Sequence, residues 1–362
     1  MQFSHLALGT FVIAALALGQ PGGDPQFERG RALFDKPFSL AEGLGAPEMN
    51  ADSCRACHQD PGMGGAGPLE LNVSRFGNDN GGFGPFTNLP GGQGLSKLFP
   101  PSVHGREEYP QGIGGADVFE QRQTPSVIGH GAIDLIPDAV IVANEDVNDA
   151  NGDGIYGVAR RLTVAGNLEI GRFGWKAQVP RLADFVNDAM FGELGLTTPD
   201  NGRGFAGLVD VDNVSDPEIT QEQVDDIAHF MAMLPPPARG GSMDPRVIEG
   251  LKTFHSIGCA KCHTPSLAGP TGPVPLFSNL LLHNVMPAGF RGMVEPGAEA
   301  GFYKTPPLWG IKDTAPYMHD GRAEDLPGSI LAHFGEANSA RLNFLDLQPP
   351  EREALMLFLE DL

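Results

Sequence analysis

Two five-residue stretches carry recognisable chemistry: Cys54-Arg55-Ala56-Cys57-His58 and Cys259-Ala260-Lys261-Cys262-His263. Two thiols separated by two residues can add across the two vinyl groups of one porphyrin. The imidazole that follows is then placed to bind the iron from one face. The two copies use all four cysteines of the chain, so no thiol remains for a disulfide. A thioredoxin-like redox pair would need a strand–helix–strand context that neither copy has. A zinc site built from all four thiols would have to join halves about two hundred residues apart, far from ribbon spacing. The spacing therefore predicts two covalently bound c-type haems on Cys54, Cys57, Cys259 and Cys262, with His58 and His263 as iron ligands.

Each motif needs elements to hold it, and the same ones recur in the same order. Residues 27–34 read as a short helix before the first motif, and Glu249-Gly250-Leu251-Lys252-Thr253-Phe254 stands before the second; in both, Glu precedes Gly and a Phe follows the Gly four residues on. Thr124-Pro125-Ser126-Val127-Ile128-Gly129 is echoed by Thr305-Pro306-Pro307-Leu308-Trp309-Gly310, and Ala189-Met190-Phe191-Gly192-Glu193 by Ala332-His333-Phe334-Gly335-Glu336. An amphipathic helix closes each half. Residues 220–234 open with a Thr220/Gln223 capping box, and residues 351–362 follow Pro349-Pro350. The expectation is a mainly α, loop-rich chain made by internal duplication, two cytochrome c-like haem domains in tandem. Pro235-Pro236-Pro237 and Gly240-Gly241 mark the joint. The domains are then residues 20–238, enlarged by loops, and 239–362. Residues 61–115 show little periodicity and read as a loop shaping access to the first haem, with Met63 and His104 within its reach.

Residues 6–18 form an apolar run of secretory length ahead of the small-residue site Ala17-Leu18-Gly19, which predicts a signal peptide over residues 1–19 and export to the periplasm. No later stretch is long and apolar enough for a membrane span. A net charge of −21, from 45 acidic against 24 basic residues, argues against nucleic acid and permits docking of a basic redox protein. Asp149, Asn151 and Asp153 alternate before Gly154 like the start of a calcium loop, though Arg160 stands where an EF-hand has its bidentate Glu. One calcium ion and a metal-free Asx turn are both open readings.

Further motifs carry a resemblance. Gly171-Arg172-Phe173-Gly174-Trp175-Lys176-Ala177, Leu280-Leu281-Leu282-His283 and Ala315-Pro316-Tyr317-Met318-His319-Asp320-Gly321-Arg322, with the two haem motifs, resemble the di-haem oxidoreductase (putative peroxidase) family. That family is related to bacterial di-haem cytochrome c peroxidases and to di-haem enzymes that oxidise tryptophan in a partner protein. The resemblance implies an enzyme in which one haem meets hydrogen peroxide or a related small oxidant while the other relays electrons. A redox-protein donor or a protein substrate would be the partner. It further implies Glu193 as the acid/base at the first haem, although the family's Gln about ten residues earlier is here Ala183. The electron-transfer haem would take its second ligand about fourteen residues beyond His319, at His333, with Met318 and His283 as alternatives. Trp175 is the aromatic expected between the haems, with Phe173 competing. Met190, opposite His333 in the internal echo, is expected in the apolar core. His319 is expected to brace the pocket by hydrogen bonds. The competing function is a di-haem electron-transfer cytochrome without catalytic chemistry.

Overall fold

The computed structural model describes residues 23–45, 50–78, 116–200 and 212–362. The expected signal peptide, His104 and most of the 61–115 loop lie outside the described residues. The fold is mainly helical with long connections. Helices α1 (Pro25–Asp35), α2 (Cys54–Cys57), α3 (His130–Asp134), α4 (Asp138–Val142), α5 (Leu182–Ala189) and α6 (Gln221–Met233) belong to the N-terminal half. Helices α7 (Pro245–Ser256), α8 (Leu326–Leu331), α9 (Asn338–Asp346) and α10 (Pro349–Asp361) belong to the C-terminal half. Among the described residues, four two-stranded antiparallel pairs fill the gaps: β1 (Val73–Gly77) with β2 (Val118–Arg122), β3 (Arg161–Val164) with β4 (Asn167–Ile170), β5 (Leu267–Gly269) with β6 (Gly272–Val274), and β7 (Leu282–Asn284) with β8 (Phe302–Lys304). Strand β1 lies within the stretch read as aperiodic. At five residues, Val73-Ser74-Arg75-Phe76-Gly77, it is too short for its alternation to stand out in the sequence.

The closing helices form where the capping signals stand. The Thr220 hydroxyl accepts from the Gln223 amide and the Gln223 side chain returns to Thr220, so α6 begins with a complete capping box. Helix α10 starts at Pro349 with Gln348 as its cap. The opening helices share a start that pattern reading passed over: Asp24-Pro25 begins α1 and Asp244-Pro245 begins α7. Each Asp carboxylate accepts from the backbone amide two residues on, at 2.9 Å in both.

Each opening helix crosses its closing helix at a glycine. A Cβ on Gly30 would stand 1.9 Å from the Asp226 carbonyl oxygen, and one on Gly250 would stand 2.0 Å from that of Ala354. The backbones touch there because nothing larger fits. Above each crossing sits an aromatic pair, Phe34–Phe230 with ring centroids 5.1 Å apart and Phe254–Phe358 at 5.3 Å. The first Phe of each pair then faces a motif imidazole, His58 at 6.0 Å and His263 at 6.5 Å. Gly250→Ala is expected to destabilise the protein by about 3 kcal/mol through overpacking of the helix crossing. Gly62→Ala, where nothing lies within 4 Å, should be nearly neutral in the same denaturant melt.

The apolar core does not divide at the linker. The larger cluster, built around Phe34, Ile133, Phe173, Leu196 and Phe230, also takes in Leu267, Leu276, Leu280, Leu281 and Trp309 from the C-terminal half. The smaller one holds Phe254, Phe277, Phe344, Leu355 and Phe358. Val158 and Leu282 exchange backbone hydrogen bonds at 3.0 and 2.8 Å, stitching the two halves directly. Among the described residues no helix is long and apolar enough to cross a membrane.

Candidate functional site

Two cavities of about 380 Å³ each open beside the two motifs. The N-terminal one is lined by Cys54, Cys57 and His58, and the C-terminal one by Cys259, Cys262 and His263. Helix α2 is a single turn capped by Ser53, whose hydroxyl accepts from the Ala56 amide, so both Cys54 and Cys57 face the same space. Burial pushes the Cys54 and Cys259 thiols up to about 12, so these are protonated thiols rather than redox-active thiolates.

Both motif imidazoles are held in one tautomer. His58 Nδ1 donates to the Gly65 carbonyl at 3.1 Å, and His263 Nδ1 donates to that of Phe277 at 3.0 Å. A carbonyl only accepts, so Nδ1 carries the proton and Nε2 keeps a lone pair for a metal. Burial lowers His58 to about 4 and His263 to about 3, which keeps both rings neutral. His333 repeats the arrangement: its Nδ1 donates to the Ser329 carbonyl at 2.6 Å, burial lowers its pKa, and its ring lines the C-terminal cavity. His333 stands just beyond α8, which ends at Leu331.

Of the two alternatives to His333, Met318 lines the same cavity and His283 does not. The His283 Nδ1 is 2.8 Å from Glu336 Oε2, and its other nitrogen faces Asn279 at 3.0 Å. Burial opposes its charge, but hydrogen bonding to Cys262 and to Glu336 raises it to about 9. Its nitrogens are committed elsewhere. Glu336 itself also receives the Tyr156 and Asn284 amides, at 2.9 and 2.8 Å.

The two cavities differ in what faces the motif. The N-terminal cavity holds Glu193, Met190 and Arg75, and no imidazole besides His58 among the described residues. Glu193 lies in the π-type turn Met190–Leu194 that follows α5, with its side chain 27% exposed and 4.0 Å from the Arg75 guanidinium. Met190 is 1% exposed, in the apolar core as expected, and at the same time on the cavity wall. Met63 packs against the core and does not line the cavity. Arg75 was missed because an isolated arginine on a short strand gives no pattern until β1 places it beside Val73 on that wall.

Trp175 lines both cavities, together with Gln123, Thr124, Pro125, Gly174 and Phe185. Its indole N–H donates to the Gln123 carbonyl at 2.7 Å, which fixes the ring in the shared wall. Phe173 lines only the C-terminal cavity. His319 is tied to the shared wall through its backbone, its carbonyl accepting from the Gln123 amide at 2.7 Å, while its ring is held in another way. Its Nδ1 has no hydrogen-bond partner, and the ring is instead stacked on Tyr303 with centroids 3.9 Å apart and 16° between planes. Burial takes it down to about 4, so it stacks as a neutral ring.

Below Trp175 the wall is charged. Arg122 Nε bonds Glu120 at 2.7 Å and its Nη2 bonds Glu295 at 2.5 Å; Arg160 joins Glu295 at 2.8 Å. Burial alone would raise Glu295, but Arg122, Arg160 and Lys176 hold it well below the carboxylate range. Arg122 Nη1 and Arg160 Nε are buried without partners, and both arginines line the N-terminal cavity. Lys304 is buried on the wall of the C-terminal cavity and lowered to about 8 by desolvation. These are the cations that two buried acidic substituents of a porphyrin need. With three imidazoles presenting Nε2 and a thiol pair at each cavity, the residues fit two haems.

The loop over Asp149, Asn151 and Asp153 is closed on its own backbone. Asp149 Oδ1 accepts from the Asp153 amide at 2.8 Å, Asn151 Oδ1 from the same amide at 2.9 Å, and Asp153 Oδ1 from Ile155 at 3.1 Å. The Lys261 ammonium stands 3.1 Å from Asp153. Among the described residues no group of three or more His, Cys, Asp and Glu side chains is arranged to hold a metal ion.

Fold and site together define a protein with paired haem cavities separated by one aromatic wall. Residues 115–362 match the model of the family described as di-haem oxidoreductase, putative peroxidase, and the chain belongs to that family. It is an oxidoreductase that uses two haems. Among solved structures, the diheme peroxidase BthA from Burkholderia thailandensis aligns over 94% of this chain and 86% of its own, at 14% identity and a TM-score of 0.44. Hydrazine synthase from Kuenenia stuttgartiensis aligns over 93% and 92%, at 16% identity and a TM-score of 0.41. A MauG-like protein associated with microbial copper homeostasis aligns over 41% of this chain, at 18% identity and a TM-score of 0.30, and the match spans about half of that protein, 55%. No protein of curated function matches the sequence.

Proposed function

We propose that this oxidoreductase reduces hydrogen peroxide, or uses it to oxidise a partner, at the N-terminal haem, with electrons relayed by the C-terminal haem. One observation carries the reading: among the imidazoles lining the C-terminal cavity, His333 repeats the arrangement of His263, with Nδ1 bonded to a carbonyl and Nε2 left for a metal, whereas Glu193 and Arg75 occupy the N-terminal cavity. His263 and His333 together would hold one iron, an arrangement that suits electron transfer. His58 alone would hold the other, leaving room in the N-terminal cavity for a small oxidant. The haem iron, when bound, supplies the electrons that cleave the O–O bond. The Glu193 carboxylate takes a proton from one peroxide oxygen and returns it to the other, which departs as water. The Arg75 guanidinium stabilises the negative charge that develops on the departing oxygen. Trp175 offers an aromatic route across the shared wall.

The same proposal includes thioether attachment at Cys54, Cys57, Cys259 and Cys262, export to the periplasm, and a redox protein as electron donor. It includes tandem cytochrome c-like domains over residues 20–238 and 239–362, supported by the twin Asp-Pro starts, glycine crossings and Phe pairs. Calcium at Asp149, Asn151 and Asp153 is a lesser part, supported by the alternation of oxygens alone.

The test uses holoprotein matured with c-type haem. Anaerobic peroxide should be consumed at the expense of pre-loaded electrons, and the ferric spectrum should contain a high-spin component that peroxide removes. A ferric spectrum that is wholly low-spin and unchanged by peroxide overturns the proposal in favour of a simple electron carrier.

A further inference from the structure

We propose that Tyr303 is a redox-active side chain that holds an oxidising equivalent between the two haem sites, with Glu120 as the acceptor of its proton. The inference rests on the peroxide reading above for its physiological oxidant. It rests on the geometry of the wall for everything else.

Tyr303 is 4% exposed and lines the C-terminal cavity. Strand β8 pairs it with His283 of β7. Its phenol donates to Glu120 Oε2 at 3.2 Å, and the other oxygen of that carboxylate binds Arg122, which lines the N-terminal cavity. Three side chains therefore join one haem cavity to the other. The face of the Tyr303 ring is covered by His319 and approached by the Lys176 ammonium, 4.6 Å from its centroid. The Lys176 ammonium is itself held by the carbonyls of Glu299, Ala300 and Phe302, so the cation is fixed in place.

That setting decides which aromatic can store a hole and which can only pass one. The wall holds Arg122, Arg160, Lys176 and Lys304 against Glu120 and Glu295, and in a low-dielectric interior a cation radical beside these positive groups is strongly disfavoured. The Trp175 indole donates to a carbonyl, which is no base, so an oxidised Trp175 keeps its positive charge. The Tyr303 phenol faces a carboxylate that Arg122 and Lys176 keep ionised against the effect of burial. When one electron leaves Tyr303, its O–H bond breaks and an O–H bond forms on Glu120. The products are a neutral phenoxyl radical and a neutral carboxylic acid. The electron fills the vacancy left at the N-terminal haem site by peroxide, the oxidant. An electron returned through the C-terminal haem, together with the proton from Glu120, restores the phenol and the carboxylate. Trp175 then serves as the conductor and Tyr303 as the store.

The experiment is freeze-quench electron paramagnetic resonance on the di-ferric holoprotein mixed with peroxide. A second arm generates the oxidant independently, by flash photolysis of a ruthenium photo-oxidant with persulfate. A tyrosyl signal is expected in both arms, changed in hyperfine structure by ring-deuterated tyrosine and lost in Tyr303→Phe. That variant keeps the ring stacked on His319 and removes only the hydroxyl; Tyr156→Phe and Tyr317→Phe should leave the signal intact. A tyrosyl or tryptophanyl signal that survives Tyr303→Phe overturns the inference, as does the absence of a deuterium-sensitive signal in the photo-oxidant arm. A signal with the photo-oxidant but none with peroxide overturns the peroxide reading instead and leaves Tyr303 as the site of oxidation.

Discussion

Glu193→Gln is expected to lower kcat/KM for peroxide by about 10²–10⁴-fold, the range that a positioned proton-transfer group supplies. The amide keeps the size and hydrogen-bonding reach of the carboxylate but can neither take nor return a proton at neutral pH. The substitution should be well tolerated structurally, because the Glu193 backbone carbonyl, not its side chain, receives the Asn50 amide that anchors this turn, at 2.6 Å. Steady-state peroxide consumption in the holoprotein measures the effect, and the haem content and ferric spectrum should match those of the parent. A variant that retains most of its activity would move the proton-transfer role to another group on the cavity wall. Arg75 cannot take that role, since a guanidinium stays protonated.

His333→Met should raise the reduction potential of the C-terminal haem by on the order of 100 mV, a fraction of the ~0.8 V that axial ligands span. Thioether ligation favours the reduced iron relative to imidazole. The His333 Nδ1–Ser329 bond sharpens that contrast, because donation to a carbonyl makes the coordinating nitrogen more basic. A spectroelectrochemical titration reads the shift, and the low-spin spectrum should change from bis-imidazole to mixed ligation. A C-terminal haem whose potential and spectrum ignore the substitution would leave Met318, on the same cavity wall, as the ligand.

The Cys-x-x-Cys-His pairs and the Thr220 capping box were legible because each depends on local spacing, and His333 through its echo of Met190 and its family position beyond His319. A motif that binds one porphyrin must fit within one or two turns of chain, and a cap must lie beside its helix. The charged wall was not legible. Glu120, Arg122, Arg160, Lys176, Glu295 and Tyr303 come from five separate segments, and each alone reads as an ordinary surface residue. Glu120 and Arg122 come from β2 and Tyr303 from β8, while Arg160, Lys176 and Glu295 join from connections, so only the tertiary fold gathers them into one buried group. Arg75 escaped notice for the same reason. The larger core was also hidden, since Leu276, Leu280 and Leu281 read as apolar runs without showing that their partners lie in the other half. His319 illustrates a subtler gap: the turn around it is readable, but stacking on Tyr303 depends on a strand that is only three residues long.

The shared wall would also govern how two irons held in these cavities take up electrons. Trp175, Gln123 and Thr124 border both cavities, and the ion pairs of Arg122 with Glu120 and Glu295 are buried. Charge added at one iron is therefore felt at its neighbour through a low-dielectric medium. Half-reduction would then make the second electron harder to add, whichever haem received the first. A potentiometric titration of such a pair yields two macroscopic midpoints that belong to the couple rather than to either haem. The stitched core, with Val158 bonded to Leu282, holds that mutual influence constant by fixing the separation on which it depends.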